Sequence, residues 1–271
     1  MLARACLFLV LLLPLSAFAA APTWQEHLEW KSEFTDRSVA GTALVFDEQA
    51  NRYLVFDRNR AQTLFLPEST FKVFSALVAL DTGAVKDEYE VIHWDGVKRQ
   101  FDGWNRDHCL ASAMKFSAVW FYQEMARRAG AQRMQEWIEK VGYGNRDIGG
   151  GVDRFWLSGG KLRISALQQI DFLQRLAHGG LPFSARAQEV VRRITIVDAA
   201  SDYVEHGKTG WDRQSDITPA VYLGWYVGWI ERAGRRWFFA INIDMPKSDD
   251  TLKRQAIAHA LLTRLRVLPA D

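Results

Sequence analysis

Hydrophobic and polar residues alternate near both ends of the chain, which is the pattern of half-buried β-strands. Residues 41–46 and 52–56 are rich in branched and aromatic side chains and flank the polar stretch 47–51. Residues 221–230 and 236–243 repeat this arrangement around the polar residues 231–235. Each pair predicts a β-hairpin, so two hairpins are expected at opposite ends of the sequence.

Between these hairpins, apolar residues recur at helical spacing, and glycines follow the runs. Ser165 and Gln168 have the spacing of a capping box at the start of one helix. The predicted helices of this middle region span residues 69–80, 118–129, 131–141 and 165–177. A last amphipathic helix is predicted over residues 249–265, with four residues directed toward a core: Leu252, Ile257, Ala260 and Leu261.

Strands at both ends with helices between them predict an α+β fold. We expect one antiparallel sheet built from both chain ends, flanked by helices, with an inserted helical lobe. The sheet lobe would take residues 20–65 and 201–271, the helical lobe residues 66–200, and together they would form a single unit with a cleft between them. Trp225 and Trp229 are four apart in a strand and should pack on one face of the sheet.

The first nineteen residues have the pattern of a signal peptide. Arg4 is their only charge, an apolar run covers residues 7–15, and Ala17-Phe18-Ala19 is a small-x-small cleavage site. The run is too short to span a bilayer, so we expect export to the periplasm with no membrane anchor after cleavage. Cys6 would be removed with this segment, which leaves Cys109 as a small buried residue that cannot form an internal disulfide.

Composition excludes several classes of protein. The 271 residues are 48% hydrophobic and 24% charged, which excludes disordered and collagen-like chains. The formal net charge of +2 gives no concentrated basic field, so nucleic acid is not an expected partner. The six histidines show no metal-ligand spacing, and no metal is predicted. A monomer and a homodimer both stay open.

A serine three residues before a lysine places both side chains on one face of a helix, where the amine can accept the hydroxyl proton. The glycine pair between Ser158 and Lys161 favours a turn, and the pair Ser112/Lys115 lacks an apolar run before its lysine. Ser69, in the pair Ser69/Lys72, opens a run that is apolar enough to be buried all round. The three matches are Ser69/Lys72, Ser112/Lys115 and Ser158/Lys161.

Burial of Lys72 would lower its pKa and leave a neutral amine that can act as a base or nucleophile. The alternative is a helix-capping serine with a lysine that extends to the surface. Lys208-Thr209-Gly210, at the end of a predicted strand over residues 203–207, adds a cation, a hydroxyl and a residue that lets a ligand approach the backbone. Such a strand could bind an extended anionic ligand.

Together these motifs resemble the penicillin-recognising serine enzymes, and within them the class D (oxacillinase-type) β-lactamases. The Ser-Asp-Asn motif and deacylating glutamate of class A are absent. The resemblance covers nearly the whole chain after the leader. Its motifs are Ser69-Thr70-Phe71-Lys72, Ser117-Ala118-Val119, Tyr143-Gly144-Asn145 and Lys208-Thr209-Gly210-Trp211, with Phe155-Trp156-Leu157 and Leu252-Lys253-Arg254 as further segments.

The resemblance implies a β-lactamase/transpeptidase-like fold and hydrolysis of the β-lactam amide of penicillins and related antibiotics, which confers resistance. Ser69 would form the acyl-enzyme, and Lys72, N-carboxylated by carbon dioxide or bicarbonate, would be the general base in both half-reactions. No separate cofactor is implied. An apolar pocket would keep the amine neutral, and the indole N–H of Trp156 would bind the carbamate. The residues of that pocket would be Phe71, Val119, Trp156 and Leu157.

The remaining roles also follow from the resemblance. The backbone N–H groups of Ser69 and Trp211 would form the oxyanion hole, beside Gly210. Ser117 would pass a proton to the lactam nitrogen, with Lys208 lowering the local potential. The substrate carboxylate would be bound by Thr209 and Arg254, while Tyr143 and Asn145 would form a structural turn at the border of the site.

Glu68 departs from the commoner family pattern, in which a small residue precedes the serine. A carboxylate that pointed inward would stabilise the ammonium form of Lys72 and oppose its carboxylation. We expect the side chain of Glu68 to point to solvent, so that Glu68→Ala leaves the bicarbonate dependence of turnover unchanged.

Two other functions stay open at this point. A penicillin-binding sensor domain would be acylated without releasing product, and would show a burst without steady-state hydrolysis. A periplasmic binding protein would stack sugars on surface tryptophans, and Ser69→Ala would not change its ligand binding.

Overall fold

A single mixed sheet forms the centre of the protein. The computed structural model describes residues 20–214 and 221–270, and these form a seven-stranded sheet in the order β1-β3-β2-β7-β6-β5-β4. Its strands are β1 (Thr23–Glu26), β2 (Ala40–Asp47), β3 (Arg52–Phe56), β4 (Ile196–Ala199), β5 (Tyr203–Gln214), β6 (Val221–Arg232) and β7 (Arg235–Met245). The predicted leader, residues 1–19, lies outside the described residues.

Helices cover both faces of this sheet. They are α1 (Lys31–Thr35), α2 (Arg58–Gln62), α3 (Lys72–Asp81), α4 (Leu110–Phe116), α5 (Val119–Ala129), α6 (Ala131–Val141), α7 (Ala166–Ala177), α8 (Ala185–Ile194) and α9 (Lys253–Arg264). The α+β prediction is confirmed. In the described part of the chain, no helix combines the length and apolar character that a membrane span requires.

Both predicted hairpins are present, and the sheet joins the two chain ends as expected. β2 pairs with β3 and also with β7, where Ala43 lies opposite Ile241. β6 and β7 pair around a tight turn at Ala233 and Gly234, whose φ angles of 50° and 72° suit the right-handed twist of the strands. One pairing differs from the expected antiparallel sheet, because β1 runs parallel to β3.

The four helices predicted between the hairpins form within three residues of their predicted bounds, whereas α2, α4 and α8 were not predicted. Ser165 and Gln168 form the predicted capping box, with reciprocal hydrogen bonds of 3.2 and 3.0 Å. The prediction that Leu252 faces the core is wrong: it is 73% exposed, because a 3-10 turn (Ser248–Leu252) precedes α9 and changes the helical phase. Ile257 and Leu261 are buried as predicted, and Ala260 is half-buried.

Two hydrophobic cores lie on opposite faces of the sheet. Trp225 and Trp229 belong to the core under the inserted helices, whereas Tyr226 and Ile230 belong to the core under α1 and α9. This alternation along β6 confirms that the two tryptophans share one face. Cys109 is only partly buried, because it stands at the N-terminus of α4 rather than inside a helix. The sheet also begins earlier than the predicted boundary at residue 200, since β4 starts at Ile196.

Candidate active site

Ser69 and Lys72 lie where a 3-10 turn (Glu68–Phe71) runs into α3. Ser69 Oγ and Lys72 Nζ are hydrogen-bonded, and Lys72 is fully buried while Ser69 is partly exposed. Burial disfavours the ammonium form and lowers the pKa of Lys72 to about 7. A substantial fraction of the amine is therefore neutral near pH 7 and can accept the hydroxyl proton of Ser69.

The surroundings of Lys72 are largely aromatic. Phe71 stacks on Trp156 with 5.1 Å between ring centroids, and Lys72 Nζ lies 5.7 Å from the ring centroid of Tyr122. Phe71 and Trp156 are fully buried; the other predicted pocket residues, Val119 and Leu157, are half-buried. The indole N–H of Trp156 has no hydrogen-bond partner within the described structure. A buried donor without a partner is costly, and it suits an anionic acceptor.

Ser117 and Lys208 come together from distant parts of the chain. Ser117 ends α4 in the left-handed conformation, with a φ of 53°. Lys208 is buried in β5, and its Nζ donates hydrogen bonds to Ser117 Oγ at 3.0 Å and to the carbonyl of Thr209 at 2.9 Å. Burial, together with the positive charges of Lys72 and Arg254, lowers the pKa of Lys208 well below its ordinary value. These residues supply a hydroxyl hydrogen-bonded to a polarising amine.

Gly210 places β5 directly against the turn that carries the nucleophile. A Cβ atom at this position would lie 3.0 Å from the carbonyl oxygen of Pro67 and 3.2 Å from the backbone nitrogen of Ser69. Only glycine allows so close an approach without displacement. The segment Lys208-Thr209-Gly210 was predicted to end a strand, but β5 continues through it to Gln214. The motif is therefore held within the sheet.

Arg254 lies in the first turn of α9 and is 5% exposed. Its Nε and Nη1 atoms are buried and have no hydrogen-bond partner in the part of the chain described. Burial lowers the pKa of the guanidinium to about 10, so the group is still charged at neutral pH. An unpaired buried cation is costly, which suits a site whose ligand is an anion.

Ser69, Ser117 and Arg254 line one cavity of about 620 Å³, which is a typical size for a small-molecule site, whereas Lys72, Trp156, Lys208 and Gly210 lie outside its wall. The loop ahead of α4 forms a wall that we did not predict, and Phe101 packs on Trp104 with 4.8 Å between centroids. Two aromatic residues in a polar stretch were the available signal. Predicted residues on the cavity wall are Ser69, Ser117, Val119, Leu157, Thr209, Trp211 and Arg254; residues not predicted there include Gln100, Phe101, Asp102, Trp104, Lys115 and Asp212.

Tyr143 and Asn145 lie behind the cavity and do not line it. Tyr143 is buried, with its ring edge-to-face on Phe71 at 5.6 Å. The Asn145 side chain donates to the carbonyl of Lys161 and accepts from the backbone N–H of Arg163, both at 2.9 Å. These are the contacts expected of a residue that fixes loop backbone.

The expectation for Glu68 is wrong. Its side chain is 1% exposed, and both carboxyl oxygens are buried without a hydrogen-bond partner among the described residues. The backbone has a φ of 50°, and its N–H donates to the carbonyl of Trp156 at 3.1 Å. The expectation assumed a regular helical start, from which the side chain would point outward. The left-handed backbone at Glu68 departs from that geometry.

Comparison with known proteins agrees with this geometry. The penicillin-binding protein transpeptidase domain matches residues 37–263. Beta-lactamase OXA-48 of Klebsiella pneumoniae is 44% identical over 251 residues, 93% of each chain. Beta-lactamase OXA-2 of Salmonella typhimurium is 40% identical over 249 residues, 91% of this chain and 87% of that protein.

Solved structures lead to the same family. The class D β-lactamase FUS-1 (OXA-85) of Fusobacterium nucleatum superposes with a TM-score of 0.86 at 38% identity, over 90% of this chain and 100% of that one. The class D β-lactamase YbXI from Nostoc gives a TM-score of 0.84 at 41% identity, over 88% and 99%. The sugar-binding alternative is therefore wrong. The chain belongs to the class D β-lactamases, within the penicillin-binding protein transpeptidase family.

Proposed function

We propose that this protein hydrolyses the β-lactam amide of penicillins and related antibiotics through an acyl-enzyme on Ser69. One observation carries the proposal: the fully buried amine of Lys72 is hydrogen-bonded to the partly exposed hydroxyl of Ser69. A hydroxyl at the wall of a small-molecule cavity, with a partly neutral amine as its neighbour, is the arrangement of an activated nucleophile.

Acylation begins when Ser69 Oγ attacks the carbonyl carbon of the lactam and gives up its proton to the base. The C–N bond then breaks, and the leaving nitrogen takes a proton from Ser117, which recovers one from the protonated base. Lys208 holds the Ser117 hydroxyl in place. The developing oxyanion is stabilised by the backbone N–H groups of Ser69 and Trp211. Water then cleaves the ester, which releases the opened product and restores the Ser69 hydroxyl.

We also propose that carbon dioxide carboxylates Lys72. The neutral amine attacks carbon dioxide and releases one proton, which requires the lowered pKa of Lys72. The N–H of Trp156, which has no hydrogen-bond partner in the described part of the chain, suits the resulting carbamate as a donor. When present, the carbamate supplies a general base for both acylation and deacylation. No separate cofactor or metal is part of the proposal.

Arg254 and Thr209 would bind the carboxylate that penicillins carry, because both line the cavity and two Arg254 nitrogens have no hydrogen-bond partner among the residues that the structure describes. Export to the periplasm is a prediction from residues 1–19, and in that compartment hydrolysis would protect the cell from β-lactams. Expression in a susceptible bacterium should raise the minimal inhibitory concentration of a penicillin, and Ser69→Ala should abolish this resistance. A monomer and a homodimer fit the proposal equally well.

Mass spectrometry after a short incubation with penicillin, with and without bicarbonate, tests the chemistry. We expect a covalent adduct that forms and decays, with faster decay when bicarbonate is present. Ser69→Ala should form no adduct, whereas Ser158→Ala is the matched control, since its serine also precedes a lysine by three residues but lies in a turn. A persistent adduct without product would instead indicate a sensor domain, and absence of an adduct would contradict the proposal.

A further inference from the structure

Glu68 is the buried acid of the active site, and the mechanism above does not use it. It contributes to the wall of the same cavity as Ser69, yet both carboxyl oxygens are buried and have no hydrogen-bond partner in residues 20–214 and 221–270. An ionised carboxylate in that position would lose its hydration with nothing in exchange. The geometry therefore favours the neutral carboxylic acid.

Three charged groups surround Glu68. Asp212 from β5 disfavours ionisation of the carboxyl, whereas Lys72 from α3 and Arg163 from the loop before α7 favour it. Burial has the largest effect and, together with Asp212, raises the pKa of Glu68 well above its ordinary value. The nearby cations do not reverse this outcome.

Glu68 lies four residues before Lys72 in the sequence, and the two side chains influence each other electrostatically. If Glu68 were ionised, it would stabilise the ammonium form of Lys72 and raise the pKa of that amine. A protonated Glu68 has no such effect. Only the neutral amine has the free electron pair that attacks carbon dioxide, so the proton on Glu68 favours modification of Lys72.

The same proton also favours the product of modification. A carbamate on Lys72 is an anion, and a second anion on Glu68 would repel it at short range in a poorly solvated site. Ionisation of Glu68 thus opposes carboxylation through two effects, both of which raise the carbon dioxide concentration needed to modify Lys72. The first is a more basic amine, and the second is a less stable carbamate.

We propose that Glu68 is a positioning residue that sets the carbon dioxide requirement of the active site, because it holds a proton beside Lys72. This inference rests on the proposed carboxylation of Lys72. It reverses the expectation that Glu68 has no influence on bicarbonate dependence. Once Glu68 loses its proton as the pH rises, the active site needs more carbon dioxide than it would with a neutral residue at this position.

The test measures the carbamate without substrate. Carbon-13 NMR with labelled bicarbonate gives the dissolved carbon dioxide concentration that half-modifies Lys72, between about pH 6 and about pH 9, on both sides of the lowered Lys72 pKa. Wild type and Glu68→Gln should agree at the acid end. At the alkaline end, where the Lys72 amine is largely neutral in both proteins, Glu68→Gln should need about tenfold less carbon dioxide, because its carbamate is free of a repulsion of about 1.4 kcal/mol. The exposed acid in Glu136→Gln is the matched control and should behave as wild type.

A second variant gives a shift of opposite sign. Asp212→Asn removes a charge that keeps Glu68 protonated, so its carbon dioxide requirement should begin to exceed that of Glu68→Gln at a lower pH than the wild-type requirement does. This variant also decides the question if Glu68→Gln fails to fold. The inference is overturned if the wild-type carbamate forms and these variants do not change its pH dependence. If wild type forms no carbamate, both this inference and the proposed carboxylation of Lys72 are wrong. If penicillin forms no adduct on Ser69, the proposed hydrolysis is wrong, which is a separate result.

Discussion

Lys208 Nζ lies 3.0 Å from Ser117 Oγ, and this contact joins the middle of β5 to the turn between α4 and α5. The two residues are 91 positions apart in the sequence. Lys208 is buried, so its hydrogen bond to Ser117 is shielded from water and strengthened by the low local dielectric. The pair of Lys208 and Ser117, which can carry a proton, therefore links the sheet to the inserted helices at the cavity.

Ser117→Ala should slow acylation because it removes the group that passes a proton to the leaving nitrogen. We expect a loss of about a hundredfold or more in kcat/KM, measured by stopped-flow hydrolysis of a chromogenic cephalosporin. Lys208 keeps the carbonyl of Thr209 as an acceptor, so the free energy of unfolding should fall by only about 1 kcal/mol. Ser32→Ala, at an exposed serine, is the control. Unchanged acylation in Ser117→Ala would show that the proton takes another route.

Arg254→Leu should weaken substrate binding while it leaves the fold intact or more stable. Loss of a charge-assisted contact should raise KM about tenfold or more. Removal of a buried cation that has no ion-pair partner among the described residues should not lower Tm. Steady-state kinetics and thermal unfolding measure the two effects. A penicillin ester, which lacks the carboxylate, should show little difference between variant and wild type. A large difference with the ester would contradict the assigned role.

Gly210→Ala should impair catalysis more than stability. The added methyl group would lie 3.2 Å from the backbone nitrogen of Ser69, so the nucleophile and its oxyanion-binding N–H must shift. We expect kcat to fall about a hundredfold, with a cost of about 1–3 kcal/mol in the free energy of unfolding. Gly180→Ala is the control, because a Cβ there would meet only a carbonyl oxygen at 3.6 Å. Full activity in Gly210→Ala would show that the turn can move without effect.

Lys72 should make the stability of the protein depend on pH. Its pKa is about 7 in the folded protein and near 10.5 when the chain is unfolded. Between these values the unfolded state binds the extra proton, so the free energy of unfolding rises with pH and this contribution is complete above the unfolded value. Removal of the amine in Lys72→Met should reduce the slope of the free energy of unfolding against pH by about 1.4 kcal/mol per pH unit.

Urea unfolding in carbon dioxide-free buffer, at two pH values inside this window, measures that slope. The exposed lysine in Lys31→Met provides the control and should leave the slope unchanged. Equal slopes in Lys72→Met and wild type would mean that Lys72 is already charged in the folded protein, which would contradict its role as a base.

The sequence by itself determined the features that depend on near neighbours. Residues three or four apart fix the apolar faces of the helices, and residues two apart fix the faces of the strands, so Trp225 and Trp229 could be assigned to one face. The Ser165 capping box is equally local. The family motifs, such as Ser69 with Lys72, could also be recognised, because each spans only a few positions.

Tertiary structure alone decided which of these residues meet and which way certain side chains point. The parallel pairing of β1, the aromatic wall at Phe101 and the contact of Lys208 with Ser117 all join distant segments, on which local periodicity carries no information. Glu68 and Leu252 were misjudged because a left-handed backbone and a 3-10 turn changed the phase of an otherwise helical pattern. Orientation at such positions follows from packing against the rest of the chain, which turned an acid expected in water toward a buried amine.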